Sequence, residues 1–380
     1  MKTDLNDRKR AGATVDPDAV DVGSSSPAVA NPNRPALRPL SELTADAWDR
    51  MEARANGDEG ALPVPWSDLA RVLDPQAGSA ALRPGVHVLV GGTGSGKTQL
   101  ALGLALAAAR AGHPVGYVGL ELDPVGVVAR LAALDWAHRQ SKKGRRPNDL
   151  ERWSVLDWPR TPAGVEALHR VRDEVARELD ELPLSLVFGA ARSAKGGFTA
   201  SDFGEVAAEV AKKGNRKQPA LVVLDFLQLL SGGEGHDDRE IRTRIAGASY
   251  AANNAALSGG CAVLLVSATA REKYPELNLD LAKLPDAGGK VGFGKESGEI
   301  EYAATSVLVM ARDNAHPWDR LVGVAKNRHG GIGWAALPWD GSAFYDVPGR
   351  LAGLQATAPA AAPTGTRRGG GTPTTKLEVD

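Results

Sequence analysis

A chain of 380 residues, 43% hydrophobic and 24% charged, is long enough to bury a large core. Its net charge of -1 excludes attraction to nucleic acid through overall charge and leaves that role to local basic patches. A single cysteine, Cys261, excludes a disulfide framework, and no apolar run is long enough to span a bilayer, so the expectation is a soluble, cytoplasmic protein with no membrane partner.

In chain order, residues 1–40 are rich in Pro, Gly, Ser and Ala and poor in large apolar residues, which predicts a disordered tail. The stretch SELTADAWDRMEARA predicts one short helix in a linker, 41–60, set apart by Gly57 and Gly60. Residues 61–350 then read as one domain. Strands are expected at VHVLV (86–90), VGYVGLE (115–121), LSLVF (184–188), ALVVLD (220–225), CAVLLVS (261–267) and SVLVMA (306–311). Helices are expected after Lys97, Asp123, Thr199 and Asp238. Continuous apolar strands alternating with helices predict an α/β fold, a mainly parallel twisted sheet covered on both faces. LVGVAK and IGWAALPW, flanking NRHGG, predict a closing antiparallel hairpin, and residues 351–380 a second disordered tail.

The chemistry starts at GGTGSGKT, comprising Gly91, Gly92, Thr93, Gly94, Ser95, Gly96, Lys97 and Thr98. It fits G-x-x-x-x-G-K-[ST] between an apolar strand and an apolar helix, the context of a phosphate-binding P-loop. The glycines let successive N–H groups face phosphate oxygens, Lys97 would neutralise the β and γ phosphates, and Thr98 would ligate Mg²⁺. Asp225 ends an apolar strand, as a Mg²⁺-associated carboxylate beside a P-loop should. Glu121 also ends a strand, with Asp123 as a helix cap after it. Glu121 is either a turn residue or the carboxylate that polarises the water attacking the γ-phosphate. Lys326 and Arg328 stand two positions apart on an extended segment and so aim at one anion, or they are ordinary cations of a solvated hairpin tip. Two basic loops, 139–147 and 212–217, read as solvated surface.

Behind GGTGSGKT come LELDPVGVVARLAAL, VVLDFLQLL, KESGEIE and AKNRHGGIG, in that order. From about residue 62 to 347 the chain resembles the RecA-like C-terminal motor domain of DnaB-family replicative helicases. The resemblance implies ATP and Mg²⁺ as cofactors, with Glu121 as the catalytic carboxylate. It makes Arg328 an arginine finger on the ATP of a neighbouring subunit, with Lys326 beside it at the γ-phosphate. It further implies a homo-oligomeric ring, a hexamer moving 5′ to 3′ on single-stranded DNA in replication, with the helix 41–55 docked on the next subunit and a loader or primase as partner. The stretch from Arg271 to Gly298, with Lys283, Lys290 and Lys295 among four glycines, is expected to be a flexible cationic segment that grips the DNA backbone. Within it Lys295, Glu296 and Gly298 match the family's strand-contacting loop, and the loop 231–238 is too acidic for that task.

The chain departs from the family in three places. Residues 1–60 offer only one expected helix, so the family's helical N-terminal collar is not expected within them. Ser267 and Ala268 stand where the family has Ser-Gln, leaving Ser267 or Thr269 to replace the polar link between nucleotide and DNA loop. Tyr302, Ala303, Ala304 and Thr305 replace the usual acidic residues after KESGEIE. These changes suggest a divergent plasmid, phage or accessory protein. They also keep two other functions open, an ATPase switch or loader that does not unwind DNA, and a recombination or repair ATPase that forms filaments.

Overall fold

The computed structural model describes residues 39–143, 162–189, 197–232, 241–294 and 303–357, apart from 77, 314 and 342. Two units divide the chain between Glu52 and Ala53. Helix α1 (Leu40–Ala55) spans that division, and none of its residues is buried; Leu40, Leu43, Trp48 and Met51 stand exposed along it. All other elements belong to the second unit.

The apolar runs of that unit pair into one eight-stranded sheet in the order β3-β2-β4-β5-β1-β6-β7-β8. Its strands are β1 (Gly85–Gly91), β2 (Val115–Gly119), β3 (Leu184–Phe188), β4 (Leu221–Asp225), β5 (Ala262–Ala268), β6 (Ser306–Arg312), β7 (Asp319–Asn327) and β8 (Gly333–Pro338). From β3 to β6 neighbours are parallel; β6–β7 and β7–β8 are antiparallel. The central strands are apolar at most positions because both faces are covered. In β4, Leu221 and Val223 join one core cluster while Val222 and Leu224 join the other, on the opposite face.

Helices α2 (Ser67–Leu73), α3 (Lys97–Arg110) and α4 (Pro124–Lys142) pack into the first cluster. Helices α6 (Ala200–Ala211) and α7 (Ile241–Gly259) pack into the second. Asp123 caps α4 by accepting from Gly126 N–H at 2.6 Å, and Thr199 and Asp202 form a reciprocal capping box at α6. Helix α3 is buried almost all round, and Gly103 lies where a side chain would meet the Trp66 ring at 2.9 Å, so α2's flank can sit directly on it.

The described residues add elements to those expected from sequence. The amphipathic helix α5 (Pro162–Asp180) packs Val171 and Val175 against Trp136 of α4. A last helix, α8 (Arg350–Thr357), falls inside the stretch read as a tail from 351. Its composition is rich in small residues, but Leu354 is buried in the second cluster and Gln355 donates to Leu281 O at 3.3 Å, which hold it in place. Among the described residues no helix is long and apolar enough to cross a membrane.

Candidate active site

The P-loop curls between the end of β1 and the start of α3. Gly94 (φ 68°) and Gly96 (φ 99°) occupy the left-handed region that lets the loop turn its amides inward, and a side chain at either would be strained. The Lys97 ammonium folds back and donates to Gly91 O (2.9 Å) and Gly92 O (3.0 Å). Burial lowers the Lys97 pKa, opposed by the negative charges of Asp225 and Glu121.

Asp225 ends β4 with 2% of its surface exposed. Tyr117 of β2, one strand over, donates its hydroxyl to Asp225 Oδ2 at 2.7 Å, and the Thr98 hydroxyl lies beside this carboxylate. Burial raises the Asp225 pKa, against these two hydroxyls and the charges of Lys97 and Arg130. The other oxygen, Oδ1, is buried without a hydrogen-bond partner, as are Ser95 Oγ and Gln99 Nε2 in the same region. A carboxylate oxygen held in place and left bare beside a threonine hydroxyl suits a hard divalent cation. A bare serine oxygen and amide nitrogen among inward-turned N–H groups suit a nucleotide phosphate chain. The residues present therefore fit Mg²⁺ and a triphosphate.

Glu121 lies two residues beyond the last residue of β2 rather than within the strand. Leu120 N–H donates to Asp225 O at 2.7 Å, which brings the turn carrying Glu121 to the end of β4. Glu121 opens onto a cleft of ≈ 300 Å³ that is also lined by Gly94–Gln99, Arg130, Ala268 and Trp339. Partial burial raises the Glu121 pKa first and the Asp225 charge adds to the rise, while Lys97 and Arg130 oppose it. Lys97, Thr98 and Glu121, separated in sequence, thus meet in one cleft, with Asp225 buried close to it. Arg130 was not apparent from sequence; it sits on α4 and is held by Gly126 O at 3.1 Å. Arg312, also unforeseen, braces the P-loop from β6 by donating to Gly94 O at 2.7 Å.

Ala268 brings no polar side chain to this cleft. Gln228, in the turn after β4, donates Nε2 to Ser267 Oγ (2.8 Å) and accepts from Ala268 N–H (3.1 Å). Ser267 Oγ is therefore engaged, while Thr269 Oγ1 is buried without a partner.

Lys326 and Arg328 sit at the other end of the sheet. Lys326 is opposite Val307 near the end of β7, and a bulge at the Val307–Leu308 step precedes it. Arg328 lies just past the strand; its N–H donates to Thr305 O (2.9 Å), whose own N–H donates to Val86 O (2.6 Å). Arg328 thus leaves the sheet level with Val86. Gly91 is five residues further along β1 and two strands across, about 16 Å and about 10 Å away, outside the reach of one side chain. The tip between β7 and β8 is firmly built. Asn327 donates its amide to Leu73 O (2.8 Å) and Gly331 O (3.2 Å), and Gly330 passes so close to Leu73 O that a Cβ there would collide with it.

The β5–β6 connection differs from the open, glycine-rich segment expected. Residues 271–293 form four short 3₁₀ turns, with Leu277, Leu281, Ala287 and Phe293 buried, three of them in the second core cluster. These apolar anchors outweigh the freedom of the glycines. Lys290 lies over the Phe293 ring (4.5 Å to its centre) and 3.5 Å from Glu276, so its charge is tied down. Lys295, Glu296 and Gly298 lie outside the described residues, as do the basic stretch from 144 and the acidic one from 233.

Solved structures share this architecture. The chain aligns with a DnaB-like replicative helicase described with its interactions with primase, over 82% of this chain and 68% of that one, with a TM-score of 0.58 and 18% identity. It aligns equally widely with a second solved structure, an ATPase domain on its own, covering all of that domain with a TM-score of 0.59 and 17% identity. The fold is RecA-like. No family model and no curated protein sequence matches the chain.

Proposed function

We propose that this chain is an ATP-driven, DnaB-like motor that assembles into a homohexameric ring and moves along single-stranded DNA, 5′ to 3′, in the replication of a chromosome, plasmid or phage. The observation that carries the reading is the separation within one subunit. The P-loop and Glu121 share a cleft at one end of the sheet, with Asp225 buried close to it, whereas Lys326 and Arg328 are held at the other. If those cations act on ATP, the ATP belongs to another copy of the chain, and a closed ring gives every cleft such a neighbour.

In this reading Lys97 leaves the carbonyls of Gly91 and Gly92 for the β and γ phosphates. Tyr117 fixes one oxygen of Asp225, so the bare one, with Thr98, would hold Mg²⁺. The ion would supply positive charge against the phosphate oxygens. Glu121 accepts a proton from the attacking water, for which its raised pKa suits it, while the charges of Lys97 and Arg130 oppose the rise. Arg328 and Lys326 of the adjacent copy meet the charge developing on the γ-phosphate. Helix α1, with its exposed apolar residues, docks on the next copy, and the β5–β6 connection meets DNA through Lys290, Lys295, Glu296 and Gly298. A loader or primase would be a further partner.

Electron microscopy with a non-hydrolysable ATP analogue, with and without an oligo-dT strand, tests the assembly. Six-membered rings are expected in both conditions. Open helical polymers only on DNA would favour the filament-forming ATPase, and single subunits throughout would overturn the ring.

A further inference from the structure

We propose that Tyr274 is the positioning residue through which nucleotide at the P-loop sets the state of the β5–β6 connection. The proposal rests on the nucleotide-binding reading above. The connection meets the P-loop twice. Thr269 N–H donates to Gly91 O at 3.2 Å, and Thr269 in turn pairs with Gly294 across the connection. Five residues on, Tyr274 folds back over the loop. Its ring lies 3.6–3.7 Å from where a Cβ of Gly92 would stand. Its hydroxyl oxygen accepts from Thr93 N–H (3.2 Å) and shares a hydrogen bond with Thr93 Oγ1 (3.1 Å).

The grip falls on the segment that nucleotide must disturb. Gly91 O and Gly92 O, the acceptors Lys97 now occupies, immediately precede Thr93. When Lys97 turns to a phosphate, both carbonyls lose a charge-assisted bond and the Gly91–Thr93 backbone acquires different partners. Tyr274 therefore contacts a segment whose bonding differs between the free and bound states. Such a difference is what coupling between two sites requires.

The residues flanking Tyr274 carry the change onward. Lys273 donates to Gly292 O and stands 5.2 Å from the centre of the Phe293 ring. Glu276 pairs with Lys290, which covers the same ring. Leu277 and Phe293 are buried in one cluster. A shift of Tyr274 thus moves residues fastened to the 290–293 turn, and packed side chains pass it on because they cannot deform continuously.

Hydrogen exchange on the full chain, with and without saturating ATP analogue and Mg²⁺, tests this in the wild type and in Tyr274→Phe. The phenylalanine keeps the ring on Gly92 and removes only the hydroxyl. Both proteins should gain protection across the P-loop. The wild type should also change its exchange over residues 277–294, and Tyr274→Phe should lose at least about four-fifths of that nucleotide-dependent change. A purely structural role would raise exchange over 277–294 without nucleotide and leave the nucleotide-dependent change in place, which would overturn the proposal. So would a wild type whose P-loop is protected while 277–294 does not respond. Absence of P-loop protection in either protein would instead refute nucleotide binding, and the coupling with it.

Discussion

At the carboxyl ends of β1, β4 and β5 the fold leaves polar atoms bare. Ser95 Oγ, Gln99 Nε2, Asp225 Oδ1 and Thr269 Oγ1 are buried there without hydrogen-bond partners. At the amino ends of the same strands the polar groups of the fold are engaged. His87 is buried, its Nε2–H donating to Arg83 O (2.8 Å) and its Nδ1 accepting from Ser306 Oγ (2.7 Å), and burial drops its pKa to about 4. Arg83 binds Asp74 at 2.7 Å, and Asn327 ties the hairpin to α2. A buried polar atom without a partner costs roughly 1–3 kcal/mol, so a cluster of them is retained where a ligand supplies the missing bonds. The first end is shaped to receive something, and the second to present something.

The receiving end can be broken in two distinguishable ways. Lys97→Ala should abolish nucleotide binding, because the phosphate chain loses its main counter-charge. Glu121→Gln should bind ATP normally and lose turnover by roughly 10² or more, since only proton acceptance is removed. Equilibrium binding of a fluorescent ATP analogue, measured beside steady-state turnover, separates them. An equal loss of affinity in both would count against Glu121 as the catalytic carboxylate.

The presenting end predicts the converse. Gly330→Ala collides with Leu73 O and must move the tip that carries Arg328. Nucleotide affinity should stay within about twofold of the wild type while turnover falls roughly 10- to 100-fold, the scale on which misplaced catalytic groups act. Unchanged turnover in a folded variant would detach the hairpin from catalysis.

The smallest effect concerns pH. Arg130 holds the Glu121 pKa down, against burial and the Asp225 charge. Removing it in Arg130→Ala lets that pKa rise further, so the carboxylate protonates at higher pH on acidification. The acid limb of the kcat profile should therefore move to higher pH, and a limb that stays put or moves lower would contradict the assignment.

These two ends were not equally legible in the sequence. The strands could be read because a sheet covered on both faces demands unbroken apolar runs, and the P-loop because its spacing is local. Asp225 could be singled out by its place at a strand end, whereas for Glu121 that place left a turn residue and a carboxylate equally open, and only the resemblance favoured the second. Gln228, Tyr274, Arg130 and Arg312 could not be singled out, because their roles depend on which elements the fold brings together: Gln228 acts on Ser267, Tyr274 on Thr93 and Arg312 on Gly94, each far along the chain. The ordering of 271–293 was hidden for a related reason. Its glycines and lysines suggested freedom, while its anchors, Leu277, Leu281 and Phe293, are too sparse to form a periodic pattern. In the hairpin the two cations were visible, but their distance from their own P-loop depends on the order of strands and could only be read from the sheet.

That distance sets the most direct test of the account. Glu121→Ala and Arg328→Ala should each be nearly inactive, because the carboxylate activates water and a finger contributes roughly 10³ to 10⁵ in rate. In a mixed assembly an intact Glu121 in one subunit can face an intact Arg328 of the next, so combining the two inactive proteins should restore ATPase activity at some interfaces. Mixed assemblies, verified by differential labelling, that remain as inactive as their parents would contradict an active site completed between neighbouring copies.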